Sequence, residues 1–407
     1  MGLGKLPDLA SLARLQKLST LSAVHHAHAP IGVDFGAASL KVLQLTGQEA
    51  PSLLAAACVE TPEHLLTNPI RRLDFQIEQL GRIIRGGGFR GRRVVCSIPA
   101  QFSVCKHIQM QRAEGMATEA VVNSAMAQAM NCDPDLLVTR QVEVPLPAGT
   151  GKTEIIGMST TRDLVSRLMD GVKQARCEPV GLHSEFHAAL RAFETITRRF
   201  DDVALTSLYI DLGYATTKIA IAVGKQLVFA RCLELGARHL DEAVARHAGV
   251  DLLGARALRI EDAARIAVPA PVSVAAAAAA IHLGDRRGSG TGMEVVPDGP
   301  AEAPSPAGCD LREVLEMLTD EIQLSIRYHA SLFPNDRIGR VVFVGGEARN
   351  RATCQHIARV LRSQAQIGDP LARIPRAGHE PAMGVNLKEP QPGWTVPLGL
   401  CLSPTDL

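Results

Sequence analysis

Aromatic residues make up only 3% of this 407-residue chain, with one Trp and three Tyr. So few rings exclude a surface on which successive bases stack. Charge of one sign is also missing, since 43 Lys and Arg oppose 42 Asp and Glu for a net +1. No overall basic field therefore marks nucleic acid as a partner. No apolar run reaches the ~18–20 residues that a membrane-spanning helix needs. No apolar core with a cleavage site stands near the start, so a secretory signal is not expected. The nine cysteines contain no Cys-x-x-Cys pair and no regular spacing. They read as reduced thiols of a cytosolic protein. A complete phosphate-binding P-loop is lacking too. Gly149–Thr153 reads GTGKT, but the glycine that should open the motif is Leu146, and the segment sits between two strands. It reads as a hairpin tip.

What remains is an ordinary globular composition, 46% hydrophobic and 21% charged, long enough for two or three domains. The informative stretch is Ile31–Leu45, IGVDFGAASLKVLQL. Two apolar runs flank Gly36, Ala37, Ala38 and Ser39, which predicts strand, tight turn, strand. Small turn residues let backbone N–H groups approach phosphate oxygens. Asp34, just before the turn, can hold the waters of a Mg²⁺, and Lys41, just after it, can reach a phosphate as a point charge. The pattern then recurs in Leu208–Val223, LYIDLGYATTKIAIAV, where Asp211 precedes Gly213, Thr216 and Thr217. Asp211 and Lys218 are seven positions apart, as are Asp34 and Lys41. Two such hairpins predict a duplicated fold with two phosphate-facing turns. A third stretch, VVFVGGEA at 341–348, is a buried strand ending in Gly345-Gly346, where an α/β fold brings backbone to a ligand.

In this order the motifs resemble the actin, sugar-kinase and heat-shock-chaperone ATPase superfamily. Within it the chain resembles the PilM family of pilus-assembly proteins, which is related to the division protein FtsA. The resemblance extends from Pro30 to Leu402 through EPVGLHSEFHAALRAFE at 178–194, DPLARI at 369–374 and VPLGLCL at 396–402. It implies an α/β fold of two ribonuclease-H-like halves with a small α/β subdomain inserted. It also implies ATP with Mg²⁺ in the cleft, held by Asp34, Gly36, Ala37, Ala38, Ser39, Lys41, Asp211, Gly213, Thr216, Thr217, Gly345, Gly346 and Glu347. The metal would be held through water by Asp34 and Asp211. Glu185 stands 26 positions before Asp211. The resemblance gives that position to a residue facing the γ-phosphate, where a carboxylate can orient a water or act as a general base.

Two departures bear on nucleotide binding. Ala215 stands where the second hairpin usually carries a glycine. Glu347 follows Gly345-Gly346 where a small residue is usual, and a carboxylate there is expected to repel phosphate.

The chain divides by pattern. Residues 1–29 carry Leu at positions 3, 6, 9, 12, 15, 18 and 21, a tail with a broad apolar helical surface. Residues 30–99 form the first half-domain. An inserted βαββα module covers 100–176, and a connecting helix of the first domain lies in 177–202. The second half-domain is 203–374, with a flexible insertion at 268–308 rich in Ala, Pro and Gly. Residues 375–407 close the first domain.

The function implied is a nucleotide-binding assembly protein, at most a slow ATPase. It would sit at the cytoplasmic face of the inner membrane and bind the cytoplasmic tail of a bitopic PilN-like protein through its inserted module. Self-association is the alternative use of that module. A nucleotide-free scaffold of the same fold, as in type II secretion, is the second functional class. A sugar or acetate kinase is the third, and it would need a large substrate loop after the first hairpin that this chain lacks.

Overall fold

The computed structural model describes residues 28–47, 50–111, 118–147, 151–194, 204–266, 293–295, 308–405 and 407. Three sheets organise them. The first begins with β1 (Ile31–Phe35), β2 (Ser39–Leu45) and β3 (Leu53–Glu60), an antiparallel meander. β4 (Arg93–Ile98) and β8 (Glu178–Ser184) then add in parallel beyond β1. The second sheet repeats this plan. β9 (Thr206–Leu212), β10 (Thr217–Val223) and β11 (Gln226–Leu233) form the meander, and β13 (Arg340–Val344) and β14 (Ala365–Gly368) add in parallel beyond β9. The two strand orders match: 3-2-1-4-8 against 11-10-9-13-14.

Helices cover the first sheet on both faces. After the short α1 (Glu63–Leu66), α2 (Pro69–Gly86) is capped by Asn68, whose side chain accepts the Arg71 N–H. Its Leu73, Leu80 and Ile83 join Val33, Leu40 and Val42 in one core. On the other face lie α5 (Glu185–Phe193) and α10 (Thr395–Cys401), with Ala188, Val396 and Leu400 against Val95 and Val180. These two helices cross so closely that a Cβ on Gly399 would lie 1.7 Å from the Ala188 carbonyl oxygen. Against the second half pack α6 (Ala237–Ala248), α7 (Leu252–Ile266), α8 (Arg312–Leu332) and α9 (Arg351–Val360).

The third sheet, β5-β7-β6, is the inserted module: β5 (Ser103–Gln111), β6 (Leu137–Val144) and β7 (Lys152–Thr161), with α3 (Thr118–Met130) on one face. The GTGKT segment lies at the β6–β7 connection and runs into a strand, with Gly149 and Thr150 outside the described residues.

Three boundaries differ from the sequence reading. The helix α4 (Arg162–Gln174), expected in the module, instead buries Leu164, Leu168 and Val172 in the first-domain core beside Leu73 and Leu80. The module is therefore βαββ, because the apolar face of α4 matches the first sheet and not the third. Within the supposed insertion at 268–308, β12 (Met293–Val295) pairs antiparallel with β14 as an edge strand. Three residues are too few for periodicity to reveal a strand. Most of that insertion, the leucine-rich tail up to residue 27 and residues 195–203 lie outside the described residues. Finally, the closing segment adds β15 (Ala382–Met383) beside β3.

Candidate functional site

The two halves enclose one cavity of about 520 Å³, within the range that holds a nucleotide-sized ligand. Both hairpins point their turns into it. In the first, Asp34 pairs across the ladder with Lys41. In the second, Asp211 pairs across it with Lys218. Strand alternation follows: Asp34, Gly36–Ser39 and Lys41 line the cavity, as do Asp211, Gly213, Thr216 and Lys218. Thr217 does not, contrary to the sequence reading. It lies between Thr216 and Lys218, so its side chain takes the opposite face, buried at a small void that Leu240 and Leu318 also line.

Each hairpin is braced. The Ser97 hydroxyl donates to Asp34 Oδ1 at 3.0 Å, and the Gln76 amide donates to the Gly36 carbonyl at 2.8 Å. Gly213 N–H closes the second turn on the Thr216 carbonyl at 3.1 Å. The two turns meet through Tyr214, buried among Ala37, Ala38, Leu66 and Ala237, with the Arg256 guanidinium 5.4 Å from its ring centre. The glycine missing at position 215 matters less than this tyrosine, which fills space between the turns.

Gly345 takes a left-handed φ of +90°, and a Cβ there would stand 2.3 Å from Asp211 Oδ1. Only glycine lets the strand end turn against that carboxylate. Gly346 also lines the cavity. Gly345 N–H donates to the Pro392 carbonyl at 3.0 Å, so the Gly-Gly turn is tied to the closing segment. That segment supplies part of the wall, from Gly384 through Asn386 and Gln391 to Trp394, which sequence reasoning missed. It carries no motif and reaches the cleft only through the fold.

Glu347 is corrected in its role. Its carboxylate is held by Arg259 Nη1 and by Asn350 Nδ2 at 3.0 Å, and Arg259 Nε also reaches Asp241 Oδ1 at 2.7 Å. The charge expected to repel phosphate is thus paired with a buried guanidinium from α7, which Asp241 shares. Arg259 and Ile260 line the cavity beside it.

Glu185 is the first residue of α5, behind the Ser184 cap, and 7% exposed. Its Oε1 accepts the Ala100 N–H at 2.9 Å, and its Oε2 pairs with Lys218 Nζ. Both oxygens are thus engaged, and the side chain lines the cavity as the sequence reading expects.

The expected magnesium site does not fit these residues. Lys218 Nζ also lies 2.9 Å from Asp211 Oδ2, so an ammonium occupies the space between Asp211 and Glu185. Asp34 has one oxygen on Ser97, and the other Asp211 oxygen lies against Gly345. Among the described residues no group of three or more His, Cys, Asp and Glu side chains is arranged to hold a metal ion by itself. Burial alone would lower the Lys218 pKa, but Asp211 and Glu185 together hold it well above the usual lysine range. Asp34 is pushed up to about 6, first by burial and then by Glu185, against the opposing pull of Lys41 and Lys218.

Comparison with known proteins gives this architecture a context. A family model described as type IV pilus assembly protein PilM matches residues 32–264. A solved PilM–PilN type IV pilus biogenesis complex aligns with TM-score 0.66 and 19% identity, covering 92% of this chain and 98% of that one. The ethanolamine utilization protein EutJ from Carboxydothermus hydrogenoformans is more distant, with TM-score 0.46 and 15% identity, covering 92% and 89%. MreB5 of Spiroplasma citri, solved bound to ADP, aligns with TM-score 0.43 and 13% identity, covering 86% and 94%. These last two likenesses are too loose to carry an argument. No curated protein sequence matches the chain. The fold is the actin-like ATPase fold, two like halves around a cleft with a small inserted subdomain.

Proposed function

The chain belongs to the type IV pilus assembly protein PilM family, and from that premise we propose that it is a nucleotide-binding scaffold of a pilus machine. It holds an adenine nucleotide between its halves and the cytoplasmic tail of a PilN-like inner-membrane protein on its inserted module. The observation that carries the nucleotide reading is the repeated Asp–Lys pair, Asp34 with Lys41 and Asp211 with Lys218, on turns that face one cavity. The backbone of Gly36–Ser39 and the Lys41 ammonium receive phosphate oxygens, and the Gly345-Gly346 turn receives the nucleoside end. Little turnover is expected, because the one carboxylate placed for base work is tied at both oxygens.

The partner reading is supported by the solved family complex and by the module's sheet. β6 is an edge strand there, and peptides add along such edges or lie in grooves beside them. No helix among the described residues is long and apolar enough to cross a membrane, so peripheral placement at the inner membrane would come through this partner.

Two measurements test the proposal. Calorimetric titration with ATP and ADP should show saturable binding, and absence of binding to either would remove the nucleotide reading. Deleting residues 103–161 should abolish capture of the PilN-like tail. The cut ends lie close, since Ser103 and Thr160 are cross-strand partners, and a short glycine bridge rejoins them. If the deleted protein still captures the tail but no longer self-associates, the module is a contact between copies instead.

A further inference from the structure

We propose that the Lys218 ammonium is the cleft's own cation, standing where a divalent metal would bridge phosphate to the acidic residues, so that this chain binds nucleotide without Mg²⁺. The inference rests on the nucleotide reading of the cleft and adds to it the form in which the ligand is bound.

The geometry is that of a substituted cation site. A Mg²⁺ shared with a nucleotide keeps several waters and needs one or two carboxylate oxygens free to receive them. Here three carboxylates approach the cleft, Asp34, Asp211 and Glu185, and two of them already surround one ammonium. The remaining oxygen of Glu185 is on the Ala100 amide, and one oxygen of Asp34 is on Ser97. That leaves the second oxygen of Asp34, while Lys218 stands between the other two carboxylates. A hydrated dication would have to displace an ammonium that is 12% exposed and fixed by two ion pairs.

Lysine suits the task it would inherit. An ammonium has three N–H donors, and Asp211 and Glu185 use two. The third is left for a phosphate oxygen, with Lys41 supplying a second cation from the facing hairpin. Of the three carboxylate charges, Lys41 and Lys218 offset two. Lys218 is held in this place by register, since it is the cross-strand partner of Asp211.

Binding of ATP to the full chain, measured in excess EDTA and in excess Mg²⁺, tests the proposal. The expected result for the unaltered chain is an affinity that changes less than about twofold between the two buffers. Lys218→Ala should lose at least about tenfold in EDTA, as for a lost charge-assisted contact, and regain part of it with Mg²⁺. Lys218→Arg should keep the affinity in EDTA. A readout without nucleotide accompanies these: by electron paramagnetic resonance, Lys218→Ala should bind Mn²⁺ and the unaltered chain should not. If the unaltered chain loses more than about tenfold in EDTA, or binds Mn²⁺ as well as the alanine variant does, the proposal is wrong. If no nucleotide binds in either buffer, the cleft is not a nucleotide site and both readings fall. The comparison on the unaltered chain decides the matter even where the alanine variant does not fold.

Discussion

The imidazole of His107, in the inserted module, stacks on the ring of Phe229, in the second half, with centroids 4.7 Å apart. The contact joins two units that the sequence separates by more than a hundred residues. Around it, His107 Nε2 accepts the edge N–H of Ala230 at 3.2 Å, so Nδ1 carries the proton and donates to Glu154 Oε1 at 2.8 Å. Tyr328 from α8 donates to that same oxygen at 2.8 Å. One face of the module is thus fastened to the half that carries Asp211 and Gly345, while β6 remains an edge. The module and the cleft are therefore connected parts of the fold.

Tyr328→Phe should loosen this fastening. It removes one of the two donors to a fully buried carboxylate and should cost about 1–3 kcal/mol. Chemical denaturation would give the magnitude, and hydrogen exchange should rise along Ser103–Gln111. Unchanged exchange in that strand would mean that the module is held by other contacts.

Gly345→Ala should abolish nucleotide binding. The new methyl would lie against Asp211 Oδ1 and the Leu212 carbonyl, in a backbone conformation that L side chains rarely adopt. Asp211 must move, and with it the Lys218 ion pairs. Calorimetric titration of the folded variant checks this. Binding within about twofold of the unaltered chain would show that the Gly-Gly turn does not position the acidic cluster.

Gly399→Ala inverts a usual rule. Inside a helix the change ordinarily adds about 1 kcal/mol of stability. Here the methyl would collide with the Ala188 backbone across the α5–α10 contact. A loss of about 3 kcal/mol or more is expected, because backbone rather than a flexible side chain must give way. A raised melting temperature would contradict the close crossing.

The pH dependence of stability should carry the mark of Asp34. Its folded pKa, about 6, exceeds the ordinary carboxylate value of 3.8. The folded state therefore binds this proton more tightly than the unfolded state does. The contribution to stability is full below pH ~4 and is lost as pH rises through about 6. Above that range the buried carboxylate costs on the order of 3 kcal/mol relative to its neutral form. Asp34→Asn, which keeps an oxygen for Ser97, should be more stable than the unaltered chain at neutral pH and no more stable at pH ~4. The same advantage at both pH values would assign the effect to something other than the charge.

Both hairpins were legible in the sequence because they are local. Alternating apolar runs, small turn residues and a seven-residue Asp-to-Lys spacing all act within fifteen positions of the chain. The duplicated sheet follows from that repetition, and Asp34, Lys41 and Asp211 line one cavity, with Gly345 and Gly346 reaching it from a separate strand end. Thr217 departs from its sequence reading because it is grouped there with its neighbour Thr216, whereas successive strand residues face opposite sides. The helix at 162–174 was given to the module because an amphipathic pattern states that a helix buries one face, and not which core receives it.

What the sequence by itself determined is the set of local elements and their repetition, since periodicity and turn chemistry are properties of neighbouring residues. What only the tertiary structure decided is the electrostatic character of the cleft. The carboxylate of Glu347 reads as repulsive in the sequence, but Arg259, 88 positions earlier, pairs with it in the fold. Glu185 looked like a base until Lys218 and the Ala100 amide were found on its two oxygens. The closing segment at 384–394 forms a wall of the cleft with no motif to announce it. A buried charge is governed by the groups within a few ångströms of it, and the fold brings those groups together from distant parts of the chain.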